Sequence, residues 1–160
     1  MGSVEIYTDG CAVGNPGKGG YGIVVRSAGE AREFSGGFQY TTNNRMEIFA
    51  AVEALRITRG AKRTRIYSDS ALLVNAMTLG WIRKWKRSSW LNSGKAPVKN
   101  RDLWEALDRE TDGREVEFVK VKGHSGVPDN HRCDKLAKIA AKVPINDLDI
   151  DAVYASGEAG

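Results

Sequence analysis

Three segments near the start of the chain alternate apolar and polar residues, and this alternation constrains the fold more than any other feature. Residues 4–8, 21–26 and 32–40 each have the two-residue period of a β-strand with one buried face. The first is expected to stop at Asp9-Gly10, and Ser27-Ala28-Gly29 forms a short turn between the other two. Three successive strands with such short links predict an antiparallel meander.

The period changes from two residues to that of a helix after the third strand. Ile48, Ala51, Val52 and Leu55 recur at i, i+3, i+4 and i+7, which predicts a helix from Asn44 to about Gly60. The same criteria predict strands over residues 64–68 and 115–121 and helices over residues 70–79, 102–109 and 129–142. The order of elements therefore predicts an α/β fold, with a mixed five-stranded sheet of three antiparallel and then two parallel strands, flanked by helices.

Charge is distributed unevenly along the chain. The formal net charge is +4, and residues 144–160 contain four acidic residues and no Lys or Arg. Because those four account for −4, residues 1–143 carry a net charge of +8. A basic body suits a polyanionic partner, although a surplus of charge also serves solubility. We predict one domain over residues 1–143 and a disordered acidic tail over residues 144–160.

The sequence gives no signal for export or for a membrane. Residues 1–10 lack both a basic and an apolar targeting region, and no apolar stretch approaches the length of a membrane span. Cys11 and Cys133 lack the spacing of a zinc site. We therefore expect a cytoplasmic protein with two free thiols and no membrane partner.

Four acidic residues lie near the ends of predicted strands or on helices, namely Asp9, Glu47, Asp69 and Asp134. Each has a structural explanation: a turn at Asp9-Gly10, a capping box from Asn44 to Glu47, a helix cap at Asp69 and a solvated Asp134. Together they suggest more, because strand ends share one edge of an open sheet. Carboxylates clustered there suit Mg²⁺ or Mn²⁺, and two such ions about 4 Å apart can bind the attacking and leaving oxygens of a phosphodiester.

Several motifs, in a fixed order across residues 3–143, resemble those of ribonuclease H type 1 in its bacterial form. They are Tyr7-Thr8-Asp9-Gly10 with Gly14-Asn15-Pro16-Gly17 and Gly19-Gly20-Tyr21-Gly22, then Thr41-Thr42-Asn43-Asn44-Arg45-Met46-Glu47, Ser68-Asp69-Ser70, Lys122-Gly123-His124-Ser125-Gly126 and Cys133-Asp134-Lys135-Leu136-Ala137. The resemblance implies a ribonuclease H-like fold. It also implies an endonuclease that hydrolyses the RNA strand of RNA–DNA hybrids and leaves 5′-phosphate and 3′-hydroxyl ends.

The resemblance further assigns roles to the acidic residues and to a histidine. Asp9, Glu47, Asp69 and Asp134 are expected to bind Mg²⁺, with Mn²⁺ as an alternative and two ions present with substrate. His124 is expected to transfer protons or to assist product release, although a single loop histidine is more commonly an exposed bystander. We expect a monomer without a small-molecule organic cofactor, but the residues themselves neither imply nor exclude a homodimer.

A group of polar residues is expected to contact the hybrid. Asn15, Asn43 and Asn44 are typical of turns and helix caps, but the resemblance also places them at the minor groove or backbone, with Thr42 near a DNA phosphate. The wide minor groove displays the 2′-hydroxyls by which RNA is distinguished from DNA. In one departure from several bacterial relatives, Ala71 stands where those proteins have a glutamine that touches the substrate.

The segment from residue 81 to residue 101 is basic and rich in tryptophan, and it has no acidic residue. It resembles the handle, a basic protrusion that grips the DNA strand in family members without a separate hybrid-binding domain. The expected contacts are Trp81, Lys84, Trp85, Lys86 and Arg87. The structural alternative is an amphipathic helix with solvated charges. For the acidic tail, the alternative to a flexible terminus is that it folds over the handle and competes weakly with substrate.

Three other functions remain as alternatives. A double-stranded DNA endonuclease would use similar carboxylates on the same fold class. A binding module that has lost catalysis would keep the handle, but the four carboxylates and His124 argue against it. A phosphate-binding loop at residues 14–22 is disfavoured, since that segment lacks the Gly-Lys-Ser/Thr ending and leads into a strand.

Overall fold

The computed structural model describes residues 2–123 and 126–159. Its elements are β1 (Ser3–Val13), β2 (Gly17–Ser27), β3 (Glu30–Thr41), α1 (Asn43–Ile57), β4 (Arg63–Ser68), α2 (Ala71–Thr78), α3 (Trp81–Arg87), α4 (Arg101–Thr111), β5 (Glu115–Lys120), α5 (Pro128–Ala141) and α6 (Ala152–Ala155). The strand order is β3-β2-β1-β4-β5. The first three strands pair antiparallel, and β4 and β5 join in parallel. The predicted five-stranded mixed sheet is thus confirmed.

The first strand is longer than predicted, and its extension determines where Asp9 lies. β1 continues through Asp9-Gly10 to Val13 because it stays paired with β2 as far as Val13. On its other side, the parallel pairing with β4 ends at Tyr7. The prediction that β1 stops at Asp9-Gly10 was therefore wrong. Asp9 lies inside β1, two residues beyond the point where β4 ceases to be its neighbour.

Helices cover both faces of the sheet. On one face, Ile23 and Val25 of β2 belong to the main apolar core with Ile48 and Leu55 of α1 and Leu107 of α4. Successive residues of a strand point to opposite faces, so Gly22 and Val24 face the other side. There α5 packs against β1, β2 and β3. Asp134 lies on α5.

The second helix layer lies directly on the backbone of β2. A Cβ atom at Gly22 would lie 2.3 Å from the carbonyl oxygen of Cys133, and one at Gly20 would lie 2.2 Å from that of Ala137. Both distances are far inside van der Waals contact, so only glycine permits this approach. The two glycines therefore set the separation between α5 and the sheet.

The structure has regular elements in the acidic tail, where the sequence pattern predicted none. It contains a short 3-10 helix, Ile145–Asp147, and the helix α6. Leu148 is buried. Asp149 exchanges backbone hydrogen bonds with β3, donating to Gly37 at 3.1 Å and accepting from Gln39 at 2.8 Å. The sequence concealed this order because the contacts join the tail to distant residues and leave no period within it.

The cysteines and the lengths of the helices bear on two further predictions. Cys11 and Cys133 are both free, as predicted, and the Cys133 thiol donates to the carbonyl of Tyr7 at 3.1 Å. Among the helices of residues 2–123 and 126–159, none has the length and hydrophobicity that crossing a bilayer requires.

Candidate active site

Three of the predicted acidic residues converge at the edge of the sheet where β4 ends. Asp9 lies on β1, Asp69 directly follows β4, and Glu47 lies on α1. One carboxylate oxygen from each lies within 4.8 Å of the others. Of the four acidic residues expected to meet, these three do so among the residues that the structure describes. The spacing is compatible with all three binding one divalent cation.

Gly10 brings α1 close enough to β1 for the carboxylates to meet. A Cβ atom there would lie 2.4 Å from the carbonyl carbon of Met46 and 2.5 Å from the backbone nitrogen of Glu47. The backbone N–H of Gly10 donates to Oε1 of Glu47 at 2.5 Å and to Oδ1 of Asp9 at 2.9 Å. One backbone donor thus orients both carboxylates.

The structural explanations for three of these acidic residues do not hold. Asp9 lies within a strand and not in a turn. The N-cap of α1 is Thr42, whose hydroxyl accepts from the Arg45 N–H at 3.1 Å, so no capping box runs from Asn44 to Glu47. The N-cap of α2 is Ser70 and not Asp69. The cluster is therefore not a by-product of secondary-structure capping.

Burial makes the ionised forms of this cluster costly. It raises the pKa of Asp9 from an ordinary 3.8 to about 6, with a hydrogen bond to Glu47 opposing the rise and the charge of Asp69 adding to it. Burial, followed by the hydrogen bond and the charge of Asp9, raises the pKa of Glu47 well above its usual value. A divalent cation would neutralise these charges and so favour the ionised forms.

Asp134 lies at the margin of the cluster. It lines the same grooves as Asp9 and Asp69, but it is not one of the three carboxylates that meet within 4.8 Å. Its carboxylate instead pairs with Lys138, one helical turn later on α5, at 2.9 Å. Such i,i+4 pairs contribute only about 0.3–0.5 kcal/mol, so the ion pair restrains the Asp134 carboxylate only weakly.

The polar residues expected to contact substrate meet at one corner beside the carboxylates. Oδ1 of Asn15 accepts from the backbone N–H of Asn43 at 3.0 Å, and Oδ1 of Asn43 accepts from that of Ala12 at 2.5 Å. Thr42 caps α1, and the exposed Asn44 lines the groove with Asp9 and Asp134. The corner beside the carboxylates is thus held together by three of the residues predicted to contact substrate, Asn15, Thr42 and Asn43.

The handle, residues 81–100, is built on a cluster of tryptophan rings that pack at tilted angles. Ring centroids of Trp85 lie 6.1 Å from Trp81, 6.1 Å from Trp90 and 5.4 Å from Trp104. This cluster supports the exposed cations Lys84, Lys86 and Arg87 on α3. Lys86 also forms an ion pair with Asp108 of α4, which the sequence did not predict.

Comparison with known proteins agrees with the resemblance. The family model described as RNase H matches residues 1–142. The chain belongs to the ribonuclease H family. A curated ribonuclease H from Symbiobacterium thermophilum is 50% identical over 140 residues, which cover 88% of this chain and 95% of the relative. A ribonuclease H from Edwardsiella ictaluri is 45% identical over 154 residues, which cover 96% of this chain and 97% of the relative.

Solved structures show the same family relationship. LC9-RNase H1, described as a type 1 RNase H with the type 2 active-site motif, is 32% identical with a TM-score of 0.75 over 87% of this chain and 72% of that one. LC11-RNase H1, solved in complex with an RNA/DNA hybrid, is 27% identical with a TM-score of 0.66 over 86% of this chain and 96% of that one.

Two further residues bear on the site, His124, which was predicted, and Asn130, which was not. The prediction for His124 lies outside the described residues. Asn130 was missed by the sequence reasoning: it is 4% exposed and lines a groove with Asp9, Asp69 and Asp134. Its Oδ1 has no hydrogen-bond partner among the residues that the structure describes. Its position four residues before Asp134, one helical turn away on the same face, was the available signal.

Proposed function

We propose that this chain hydrolyses the RNA strand of RNA–DNA hybrids and leaves 5′-phosphate and 3′-hydroxyl ends. The convergence of Asp9, Glu47 and Asp69 within 4.8 Å is the observation that carries the proposal. It is supported by membership of the ribonuclease H family and by the hybrid bound to the related LC11-RNase H1.

The donor set fits a hard divalent cation, because all three converging groups offer carboxylate oxygens. We propose Mg²⁺, with Mn²⁺ as a substitute, and two ions when the hybrid is bound. Asp134 is proposed as the fourth ligand, since its ion pair with Lys138 is weak enough to be exchanged for a metal. When bound, such ions activate water and stabilise the leaving 3′ oxygen.

The protein's own residues have distinct proposed tasks around this centre. Asn15, Thr42, Asn43 and Asn44 hold the hybrid at its minor groove and backbone, where 2′-hydroxyls distinguish the two strands. The handle holds the DNA strand through Trp81, Lys84, Trp85, Lys86 and Arg87. His124 transfers a proton or assists product release near the cleaved bond. Its replacement by alanine should slow turnover without abolishing it.

A labelled-substrate assay tests the proposal. One sequence is prepared as RNA–DNA hybrid, duplex RNA and duplex DNA, and each is incubated with Mg²⁺ or EDTA. We expect cleavage of the RNA strand of the hybrid alone, and only with Mg²⁺. Asp69→Asn should lose this cleavage, whereas Asp147→Asn, which changes an exposed tail carboxylate, should keep it. Cleavage of duplex DNA at a comparable rate would favour the alternative DNA endonuclease, and cleavage in EDTA would contradict the metal assignment.

We further propose that the protein acts as a cytoplasmic monomer without an organic cofactor. The two free thiols support a reducing compartment. Light scattering during size-exclusion chromatography should give the mass of a single 17.5 kDa chain. A mass twice as large would contradict the monomer.

A further inference from the structure

A buried arginine joins the corner beside the carboxylates to two distant parts of the chain. Arg45 lies between Asn44 and Glu47 on α1, and its side chain is 2% exposed. Its guanidinium donates to Asp102 in the first turn of α4 at 2.8 and 2.9 Å, and to Asp151 in the tail at 2.7 and 2.9 Å. A further contact of 3.3 Å reaches the side-chain oxygen of Asn100.

Asp151 is the tail's main polar contact with the domain. It is 9% exposed and accepts from the Thr41 hydroxyl at 2.8 Å as well as from Arg45. Burial alone would raise the pKa of Asp151, but hydrogen bonds from Arg45 and Thr41 outweigh it and lower that pKa. Asp151 is therefore a charged partner of Arg45. Buried pairs of this kind keep a defined geometry, because losing one partner leaves an uncompensated charge.

The same tail also contacts the end of the handle. The carbonyl of Ala159 accepts from the backbone N–H of Asn100 at 2.6 Å. Asn100 is the last residue of the handle and directly precedes α4, with a left-handed φ of 62°. Five residues before Ala159, Tyr154 packs on Tyr40 near the end of β3, with ring centroids 5.5 Å apart. The tail thus spans from the end of β3 to the point where the handle rejoins the domain.

We propose that the tail is a brace in which Asp151, acting through Arg45, is a positioning residue that fixes the Thr42–Asn44 corner relative to the handle. This inference rests on the proposed function, in which a hybrid contacts the corner and the handle together. Asp9 and Asp69 stand on and beside sheet strands, and Glu47 is held by Gly10. The brace therefore acts on substrate binding and leaves the carboxylate cluster in place.

Kinetic and binding measurements on Asp151→Asn test the brace. This change removes the charge but keeps the size of the side chain, and Asp147→Asn is the matched control in the same tail. We expect the KM for hybrid, and the Kd for hybrid in EDTA, to rise about fivefold in Asp151→Asn. A change of that size corresponds to the loss of about one ordinary hydrogen bond. The kcat at saturating hybrid should stay within about twofold, and Asp151→Glu should recover part of the lost affinity.

Circular dichroism at the assay temperature separates positioning from simple stability. A folded Asp151→Asn with unchanged KM and Kd would overturn the brace, and so would a loss confined to kcat. If Asp151→Asn fails to fold, Asp102→Asn tests the handle side of the same link, and unchanged binding in that variant would be equally contradictory. Failure of the proposed function has a different signature, because the unmodified protein would then not cleave the hybrid at all. The change in Kd for hybrid between the unmodified protein and Asp151→Asn, measured in EDTA, would still test the brace.

Discussion

Replacing Asp9 by asparagine should abolish cleavage and yet stabilise the metal-free protein. Burial raises the pKa of Asp9 from 3.8 to about 6. Each unit of such a shift corresponds to about 1.4 kcal/mol, so ionising Asp9 costs the folded state about 3 kcal/mol at pH 8. Asparagine has nearly the same shape and can still accept from the Gly10 N–H. The variant should therefore gain about 3 kcal/mol in free energy of unfolding.

The pH dependence of that gain follows from the direction of the shift. At pH 4 and below, Asp9 stays protonated in the folded state and is at least partly protonated in the unfolded state, so the two proteins should differ in stability by less than about 1 kcal/mol. The unmodified protein loses stability as the pH rises from about 4 to about 6, because over that range the unfolded state releases the Asp9 proton while the folded state keeps it. Asparagine does not titrate, and the difference should therefore reach its maximum above pH 7.

Urea unfolding in EDTA at pH 4 and pH 8 measures this difference. Asp147→Asn is the control, since its carboxylate is exposed and its replacement should change stability by less than about 0.5 kcal/mol at either pH. Adding Mg²⁺ should stabilise the unmodified protein more than Asp9→Asn, because a ligand stabilises only the state that binds it. A variant no more stable than the unmodified protein at pH 8 would refute the argument that Asp9 is held in an unfavourable charged state.

The remaining predictions concern the handle and the contact between β1 and α1. Neutralising Lys84, Lys86 and Arg87 together to glutamine should raise the KM for hybrid more than it lowers kcat and should flatten the salt dependence of KM; a KM unchanged at every salt concentration would contradict a phosphate-binding handle. Gly10→Ala should cost about 3 kcal/mol of stability and most of the cleavage activity, since its methyl would overlap the α1 backbone. Gly2→Ala, where a Cβ meets no atom within 4 Å, is the matched control, and equal stability of these two alanine variants by thermal unfolding would count against the close approach.

Much of the architecture could be predicted from local patterns. The two-residue and helical periods gave all five strands and the main helices, because each element buries one face against a common core. The meeting of Asp9 and Asp69 could also be predicted, since both lie near the point where β1 and β4 stop pairing, and Glu47 reaches the same edge of the sheet from α1. For these residues, the position along a strand indicates the position in the folded sheet.

Contacts between distant residues were not visible in those patterns. Asp9-Gly10 has the composition of a turn, but pairing with β2 keeps it extended. The tail has no period, and its contacts, such as the ion pair of Asp151 with Arg45 and the backbone hydrogen bonds of Asp149 with β3, are made with residues far away in the sequence. The ion pair of Lys86 with Asp108 joins two elements whose packing no local period specifies. In each case a partner remote in sequence decides the outcome.

The glycines of β2 have a consequence that reaches beyond packing. Asp134 lies on α5 between Cys133 and Ala137, whose carbonyls already touch the positions where side chains of Gly22 and Gly20 would begin. A single methyl group on Gly22 would have to lift this part of α5 by roughly 1 Å to reach ordinary contact. A displacement of that size at a reacting centre can reduce turnover about a hundredfold. The distance between Asp134 and Asp9 thus depends on the absence of side chains at Gly20 and Gly22, which lie in the interior against the α5 backbone.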